Sequence, residues 1–148
     1  MDRCKIGKKN RFIGPINISI NKNAIIGSFN LFHCGWWEIE EQFGNANHES
    51  NLLIEEDTLM GMYHHVDLFG SFTLGKKSRI VGRGSQFWTH GAGVIAHHMV
   101  IEENCYIGSG VRFAPGSSIG KNSIVGLGSV VTKNLILKMS LSKDNLQE

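Results

Sequence analysis

The histidines are the side chains of this sequence best suited to acid–base chemistry near neutral pH. There are seven among 148 residues: His33, His48, His64, His65, His90, His97 and His98. The ordinary pKa of imidazole is about 6.5, so much of it is neutral at pH 7 and can take a proton and return it. Most histidines in a protein are surface or structural residues. The structural elements that carry these seven therefore have to be identified before one of them can be assigned a catalytic role.

The cysteines indicate neither a disulfide framework nor a metal site. Cys4, Cys34 and Cys105 are odd in number and widely spaced, and zinc-binding sequences place their ligands at short fixed intervals. The first residues lead into no apolar core of a secretory signal, and no stretch approaches the ~18 consecutive apolar residues of a membrane span. These features predict a cytoplasmic protein without a membrane span and without a bound metal.

Composition predicts one globular domain over residues 1–148. The net charge is only +2 and the basic residues are scattered, which argues against a nucleic-acid partner. Glycine is frequent, at 18 residues, whereas only two residues are proline. So much glycine in a chain of ordinary apolar content indicates many tight corners between short strands.

A six-residue repeat identifies those strands. Large apolar residues recur at every sixth position in the second half of the chain: Ile95, Ile101, Ile107, Phe113, Ile119, Val125 and Val131. The residues one and four positions after each of them are mostly small. An amphipathic helix would repeat its apolar face every 3.6 residues instead. The repeat predicts an all-β prism of short parallel strands, three units to a coil, with the large residues stacked inside.

The first half of the chain is less regular. The same period links Ile20, Ile26 and Phe32, and it is found again at Val81 and Phe87. We expect coils from near Ile6 to near Val131, a projecting loop at about 33–51, and a tail or short helix at about 134–148. The loop holds two tryptophans and His48, so it either lines a site or packs on the prism or a neighbouring subunit.

With this repeat, the chain resembles the hexapeptide-repeat, left-handed parallel β-helix acyltransferases. Residues 82–93, GRGSQFWTHGAG, are similar to the catalytic loop of their sugar and polysaccharide O-acetyltransferases. The resemblance implies a left-handed coil, a homotrimer, and acetyl-CoA bound in grooves between adjacent prisms. It also implies that a histidine acts as general base on the hydroxyl of a saccharide acceptor.

His90 is the histidine that the resemblance identifies as the base. Galactoside and maltose acetyltransferases carry theirs five residues after an inward aliphatic residue, where this chain has Ala92, whereas His90 lies three residues after Phe87. His97, beside His98, is the second candidate. Further candidates for binding the substrate, besides His97, are Trp88, His64 and His65.

Two segments resemble the part of the family that binds CoA, CYIGSG at 105–110 and GLGSVVTK at 126–133. The positions implied in cofactor binding are Tyr106, Ser109, Gly110, Gly126, Leu127, Gly128, Thr132 and Lys133. Ser109 matches a position beside the pantetheine amides, and Lys133 matches one near the nucleotide phosphates. The chain departs from its relatives after Lys133, where it lacks their Pro-Gly turn and Gly-Asn-Pro-Ala segment.

Three functions are consistent with these residues. The first is acetyl transfer from acetyl-CoA to a sugar or polysaccharide precursor. The second is a γ-class carbonic anhydrase on the same fold, although its histidine spacing is absent. The third is a trimer without activity that serves as a scaffold, since Ala92, Leu127 and the altered C-terminus all depart from the active enzymes. Fold alone does not choose among them.

Overall fold

The chain winds into a prism with three flat sides. The computed structural model describes residues 3–34, 50–91 and 96–136, and these ranges hold eighteen short strands and no helix. Every strand pairs in parallel with strands of the coil before or after it, which gives three sheets of six strands. No helix in the described ranges is long and apolar enough to cross a membrane.

Each of the six coils contributes one strand to each sheet. The first sheet contains β1 (Lys5–Ile6), β4 (Ile25–Ile26), β7 (Leu59–Met62), β10 (Arg79–Arg83), β13 (Tyr106–Ile107) and β16 (Ile124–Val125). The second contains β2 (Arg11–Ile13), β5 (Leu31–His33), β8 (His65–Asp67), β11 (Gln86–Phe87), β14 (Arg112–Phe113) and β17 (Val130–Val131). The third contains β3 (Asn17–Ile20), β6 (Asn51–Ile54), β9 (Phe72–Leu74), β12 (Met99–Ile101), β15 (Ser118–Ile119) and β18 (Asn134–Leu135).

Three corners join these sheets. We call the bend from the first to the second sheet the first corner, the bend from the second to the third sheet the second corner, and the bend back to the first sheet the third corner. The architecture confirms the predicted left-handed parallel β-helix of hexapeptide repeats. It explains the period of six, because each unit supplies one strand and one corner.

The core is a column of large apolar side chains inside the prism. The residues of the six-residue repeat that the structure describes are all buried, as predicted: Ile101, Ile107, Phe113, Ile119, Val125 and Val131. Ile95 and Ala92 lie outside the described residues. Under the second sheet, the ring centroids of Phe87 and Phe113 are 5.1 Å apart, and those of Phe12 and Phe32 are 4.7 Å apart. Packing between coils is therefore what holds each coil in place.

Two boundaries differ from the sequence prediction. Ile80 rather than Val81 points into the core, because the register of β10 shifts after Ile80 and the extra residue follows the inward side chain. The coils also continue past Val131, since Asn134–Leu135 forms β18 against β15 and is not part of a tail. Residues 137–148 and 35–49, which make up most of the predicted tail and loop, lie outside the described residues.

The corners require a left-handed backbone at one fixed place. The third residue after the inward aliphatic has a positive φ at most of the described corners, for example 57° at Asn104 and 61° at Asn122. Gly110 and Gly128 occupy the same place, with φ of 64° and 72°. Glycine adopts this conformation without the cost of about 1–2 kcal/mol that a Cβ adds. These two glycines are therefore part of the architecture, whatever they contact.

Candidate active site

The chain departs from the regular repeat twice at the second corner. The first departure joins β5 to β6 on the second coil, and its described ends are Cys34 and Ser50. The other joins β11 to β12 on the fourth coil and carries Trp88, His90 and His97. Because successive coils stack in register, the described ends of both segments lie along one edge of the prism, with the third coil between them. Long loops on a rigid scaffold are where sites are commonly built.

His90 is held at this edge by a buried carboxylate on the coil below. Its Nδ1 lies 2.7 Å from Oδ2 of Asp67, which follows the inward residue Val66 on β8. The Asp67 side chain is 3% exposed and the His90 side chain 22%. The same oxygen also accepts the backbone N–H groups of Thr89, at 3.0 Å, and His90, at 3.2 Å. Buried carboxylates require such partners, and here the partners fix the orientation of the side chain.

This geometry selects one tautomer of His90. A carboxylate oxygen only accepts hydrogen bonds, so Nδ1 must carry the proton that it donates to Asp67. The lone pair is then on Nε2, the nitrogen on the opposite side of the ring. A partly exposed imidazole held in this way by a buried aspartate is the arrangement of a general base. The ring also packs on Phe69, with their centroids 4.7 Å apart.

Two predicted substrate residues come from the same two coils as Asp67 and His90: His65 lies on β8 and Trp88 directly follows β11. The rings of Trp88 and His65 meet edge to face with their centroids 4.7 Å apart, and the centroids of His33 and His65 are 6.5 Å apart. Burial lowers the pKa of His65, with Asp67 opposing the effect and His33 adding to it. We call His33, His65 and Trp88 the aromatic shelf; because its pKa is lowered, His65 is neutral at pH 7.

His97 and His98 return the chain to the same corner. The His97 N–H donates to the Thr89 carbonyl at 2.8 Å, and both imidazoles are exposed. His98 Nδ1 accepts the N–H of Ser71 at 3.0 Å. His97 therefore lies at the same corner as His90, but no contact between its ring and His90 or Asp67 is seen among the described residues.

His64 lies elsewhere. It is 1% exposed and belongs to a row of hydrogen bonds inside the first corner, which we call the polar ladder: Asn10, Asn30, His64 and Ser85. Each member accepts the backbone N–H of the next, so Asn30 Oδ1 binds the His64 N–H at 2.9 Å and His64 Nδ1 binds the Ser85 N–H at 3.0 Å. This placement gives His64 a role in the fold and keeps it from the surface.

The pKa of His64 reflects that burial. Desolvation lowers the pKa from 6.5 to about 4, and the backbone of Gly82 partly opposes this effect. His64 Nε2 itself is buried and makes no hydrogen bond of regular geometry within the described residues. His64 is thus neutral at pH 7, with Nε2 protonated because Nδ1 accepts.

The residues matched to CoA binding are divided between two corners. Ser109, Gly110, Gly126, Leu127 and Gly128 lie at the first corner of the fifth and sixth coils, with Tyr106 on the first sheet beside them. Thr132 and Lys133 lie at the second corner, two coils beyond His90. The second sheet separates the first group from His90. One chain therefore does not bring Ser109 and Leu127 next to the predicted base.

The first corner of the last coils is unusually apolar for an exposed surface. Ile124 and Leu127 are each 81% exposed, Val130 is 63% exposed and Tyr106 is 48% exposed. Contiguous apolar surface of this kind commonly marks a contact with a ligand or another protein.

Sequence reasoning missed Asp67. An aspartate directly after an inward valine could have been noticed, because a buried carboxylate needs a partner. Its pairing with His90 could not be read, since it depends on the number of residues in the third coil. Within the described ranges, no three His, Cys, Asp or Glu side chains are arranged to hold a metal ion.

A family model described as Bacterial transferase hexapeptide (six repeats) matches residues 98–133. The galactoside O-acetyltransferase of Lactococcus lactis is 34% identical over 90 residues, which cover 57% of this chain and 40% of that protein. The bifunctional protein GlmU of Geotalea daltonii is 37% identical over 71 residues, covering 48% of this chain and 15% of that protein. GlmU of Anaplasma marginale is 25% identical over 142 residues, 91% of this chain and 27% of that protein.

The chain thus spans two-fifths or less of the length of these relatives. No solved structure matches it. The family match over residues 98–133 agrees with the six-residue repeat and with the three parallel sheets, and the galactoside O-acetyltransferase is a protein to which the chain is similar.

Proposed function

We propose that the chain transfers an acetyl group from acetyl-CoA to a hydroxyl of a sugar or polysaccharide precursor. The observation that carries the proposal is the pair of His90 and Asp67, joined at 2.7 Å at the corner where the chain twice departs from the repeat. The similarity to a galactoside O-acetyltransferase supports acetyl transfer as the reaction class. That the acceptor is a sugar or a polysaccharide precursor is likewise proposed.

In the proposed reaction, His90 Nε2 removes the proton from the acceptor hydroxyl as its oxygen attacks the carbonyl carbon of the thioester. Asp67 stabilises the imidazolium that forms, through the Nδ1–H bond. The tetrahedral intermediate then breaks its C–S bond, and the departing thiolate of CoA takes the proton from His90. The products are the acetyl ester and free CoA, and the base has returned to its starting state. General-base catalysis of this kind contributes about 10²–10⁴ in rate.

Acetyl-CoA would bind along the apolar first corner. Leu127 and Tyr106 offer exposed apolar surface to the pantetheine arm, and Gly128, without a Cβ, leaves the backbone open to it. Because the second sheet separates this corner from His90 in one chain, the complete site needs a second copy. We propose a homotrimer in which the first corner of one protomer faces the second corner of its neighbour, so that each of three sites uses two chains.

The aromatic shelf would hold the acceptor. Trp88 has an apolar ring, and its indole N–H already donates to Gln86 Oε1 at 3.2 Å. His65 packs against it edge to face, and its Nε2 is buried without a hydrogen-bond partner among the described residues. Apolar ring surface beside a few polar atoms suits the mixed surface of a sugar.

The test is acetyl transfer from acetyl-CoA to a panel of sugars and nucleotide sugars. His90→Gln should lower kcat by about 10²–10⁴, the contribution of a general base. His98→Asn is the matched control, because it removes a nearby imidazole whose hydrogen bond among the described residues is with the Ser71 N–H. Full activity of His90→Gln would exclude His90 as the base. A well-folded trimer that fails to bind CoA in calorimetry would favour a scaffold instead.

A further inference from the structure

Thr89 lies behind the pair of His90 and Asp67 and is completely buried. Its Oγ1 is 2.7 Å from Asp67 Oδ2 and 3.0 Å from the Asp67 carbonyl, and it accepts the N–H of Gly70 at 2.9 Å. A hydroxyl has one proton to donate, and the closer, charged carboxylate oxygen is the stronger acceptor. Thr89 therefore connects Asp67 to the Gly70 backbone.

Asp67 Oδ2 is the meeting point of four donors. They are the Oγ1–H and N–H of Thr89 and the N–H and Nδ1–H of His90. The Thr89 backbone is itself fixed, since its carbonyl accepts the N–H of His97. Thr89 thus supplies the only hydroxyl among these four donors. Its side chain and backbone together contact the Asp67 carboxylate, the Gly70 N–H and the His97 N–H.

We propose that Thr89 is a positioning residue that holds Asp67 in the orientation that protonates His90 on Nδ1. The reason is competition for Asp67. If Oγ1 is removed, the buried Gly70 N–H loses its acceptor, and the Asp67 carboxylate, to which Oγ1 had joined it, becomes a competing acceptor. A carboxylate that turns towards Gly70 moves away from His90 Nδ1, and the imidazole loses the bond that fixes its tautomer.

The inference rests on the proposed function for its kinetic consequences, but its structural part can be measured without a substrate. Thr89→Val keeps the shape of the side chain and removes the hydroxyl, whereas Thr89→Ser keeps the hydroxyl. Imidazole nitrogen chemical shifts report the tautomer of His90 directly. We expect wild type and Thr89→Ser to hold the Nδ1–H form and Thr89→Val to show a mixture of both tautomers. A His90 that keeps the Nδ1–H form in Thr89→Val overturns the inference.

Kinetics give the second arm. Thr89→Val should lower kcat by about 10- to 100-fold, the equivalent of a hydrogen bond to a charged group, with KM for acetyl-CoA unchanged. Thr89→Ser should recover most of kcat. Thr73→Val, a substitution of the same kind on β9, is the control that leaves kcat unchanged.

A double-mutant cycle separates positioning from a general loss of structure. If Thr89 acts through Asp67, then Thr89→Val should change kcat less than about twofold in an Asp67→Asn background. An equal penalty in both backgrounds overturns the inference. If wild type shows the expected tautomers but no acyl transfer to any acceptor, the positioning role stands and the proposed function fails.

Discussion

Replacement of His64 by Asn should make the protein less sensitive to acid. His64 is a buried member of the polar ladder, and its pKa is lowered from 6.5 to about 4 by desolvation. In the unfolded chain the imidazole takes up a proton near pH 6.5, but in the folded chain it does so only near pH 4. Its contribution to stability is therefore present at pH 7 and is lost as the pH falls from about 6.5 to about 4.

The size of this loss follows from the two pKa values. At 1.36 kcal/mol for each pH unit between them, the full loss is about 3 kcal/mol, and about 2–3 kcal/mol of it has occurred by pH 4.5. Asn cannot titrate, so His64→Asn removes this component. Asn also suits the ladder, since Asn30 one coil earlier accepts the His64 N–H and donates to the Gly61 carbonyl at 2.9 Å. At pH 7 we expect a cost of about 1 kcal/mol or less, the effect of a smaller buried side chain.

The assay is urea unfolding of wild type and His64→Asn at pH 7.0 and pH 4.5. The difference between the two pH values should be about 2–3 kcal/mol smaller in the variant. Other groups that titrate in this range, such as His65, are present in both proteins and cancel in this comparison. His97→Asn is the matched control, because its imidazole is exposed. Equal pH dependence of wild type and His64→Asn would refute the reasoning that burial keeps His64 neutral.

Three further predictions concern the prism itself. Phe113→Ala should reduce the free energy of unfolding by about 3–5 kcal/mol, because Phe113 is completely buried between coils, and thermal unfolding will show it. Gly128→Ala should lower the free energy of unfolding by about 1–2 kcal/mol because of the positive φ at this position, since no atom of the described residues lies within 4 Å of the added Cβ. Calorimetry measures this loss, and Gly91→Ala is the control because φ is not positive at Gly91. Cys4 is exposed, whereas Cys34 and Cys105 are buried and burial raises the pKa of Cys105. A thiol reagent at pH 8 should therefore label the native protein first at Cys4, and mass spectrometry should show that Cys4→Ser loses this fast labelling.

Most of the fold could be predicted because its signal is local. Inward residues such as Ile107 and Phe113 repeat every six positions, and neither a helix nor an isolated hairpin gives that period. The exception at Ile80 has a clear cause. Ile80 and Val81 are equally apolar, and the extra residue that decides between them lies further along β10, where the sequence gives no signal for it.

The site could be predicted less well, because it depends on which corner each residue occupies. The surrounding sequence predicts a role for His90, but the partner of His90, Asp67, comes from another coil. His64 and His65 are neighbours in sequence, yet one is inside the first corner and the other faces outward from the second sheet. The left-handed position of Gly128 could have been inferred, since Asn104 and Asn122 take the same place in their repeats and asparagine is the residue after glycine that tolerates it.

The proposed division of the site between two corners leads to a last prediction, a test by subunit complementation. His90→Gln damages the second corner and leaves the first corner intact. Leu127→Trp fills the apolar first corner and leaves His90 intact, and at 81% exposure Leu127 has room for the larger ring without disturbing the core. Each variant alone should be nearly inactive as a homotrimer, because all of its sites contain one damaged corner.

Mixed trimers should recover activity if each site uses two chains. When the two variants are refolded together in equal amounts, a site pairs an intact first corner with an intact second corner in about one case in four, so about a quarter of wild-type activity should return. Separate refolding followed by mixing is the control, since it leaves the homotrimers unmixed. No recovery in co-refolded trimers would mean that the two corners meet within one chain or not at all. The exposed apolar first corner would then have a role other than binding acetyl-CoA.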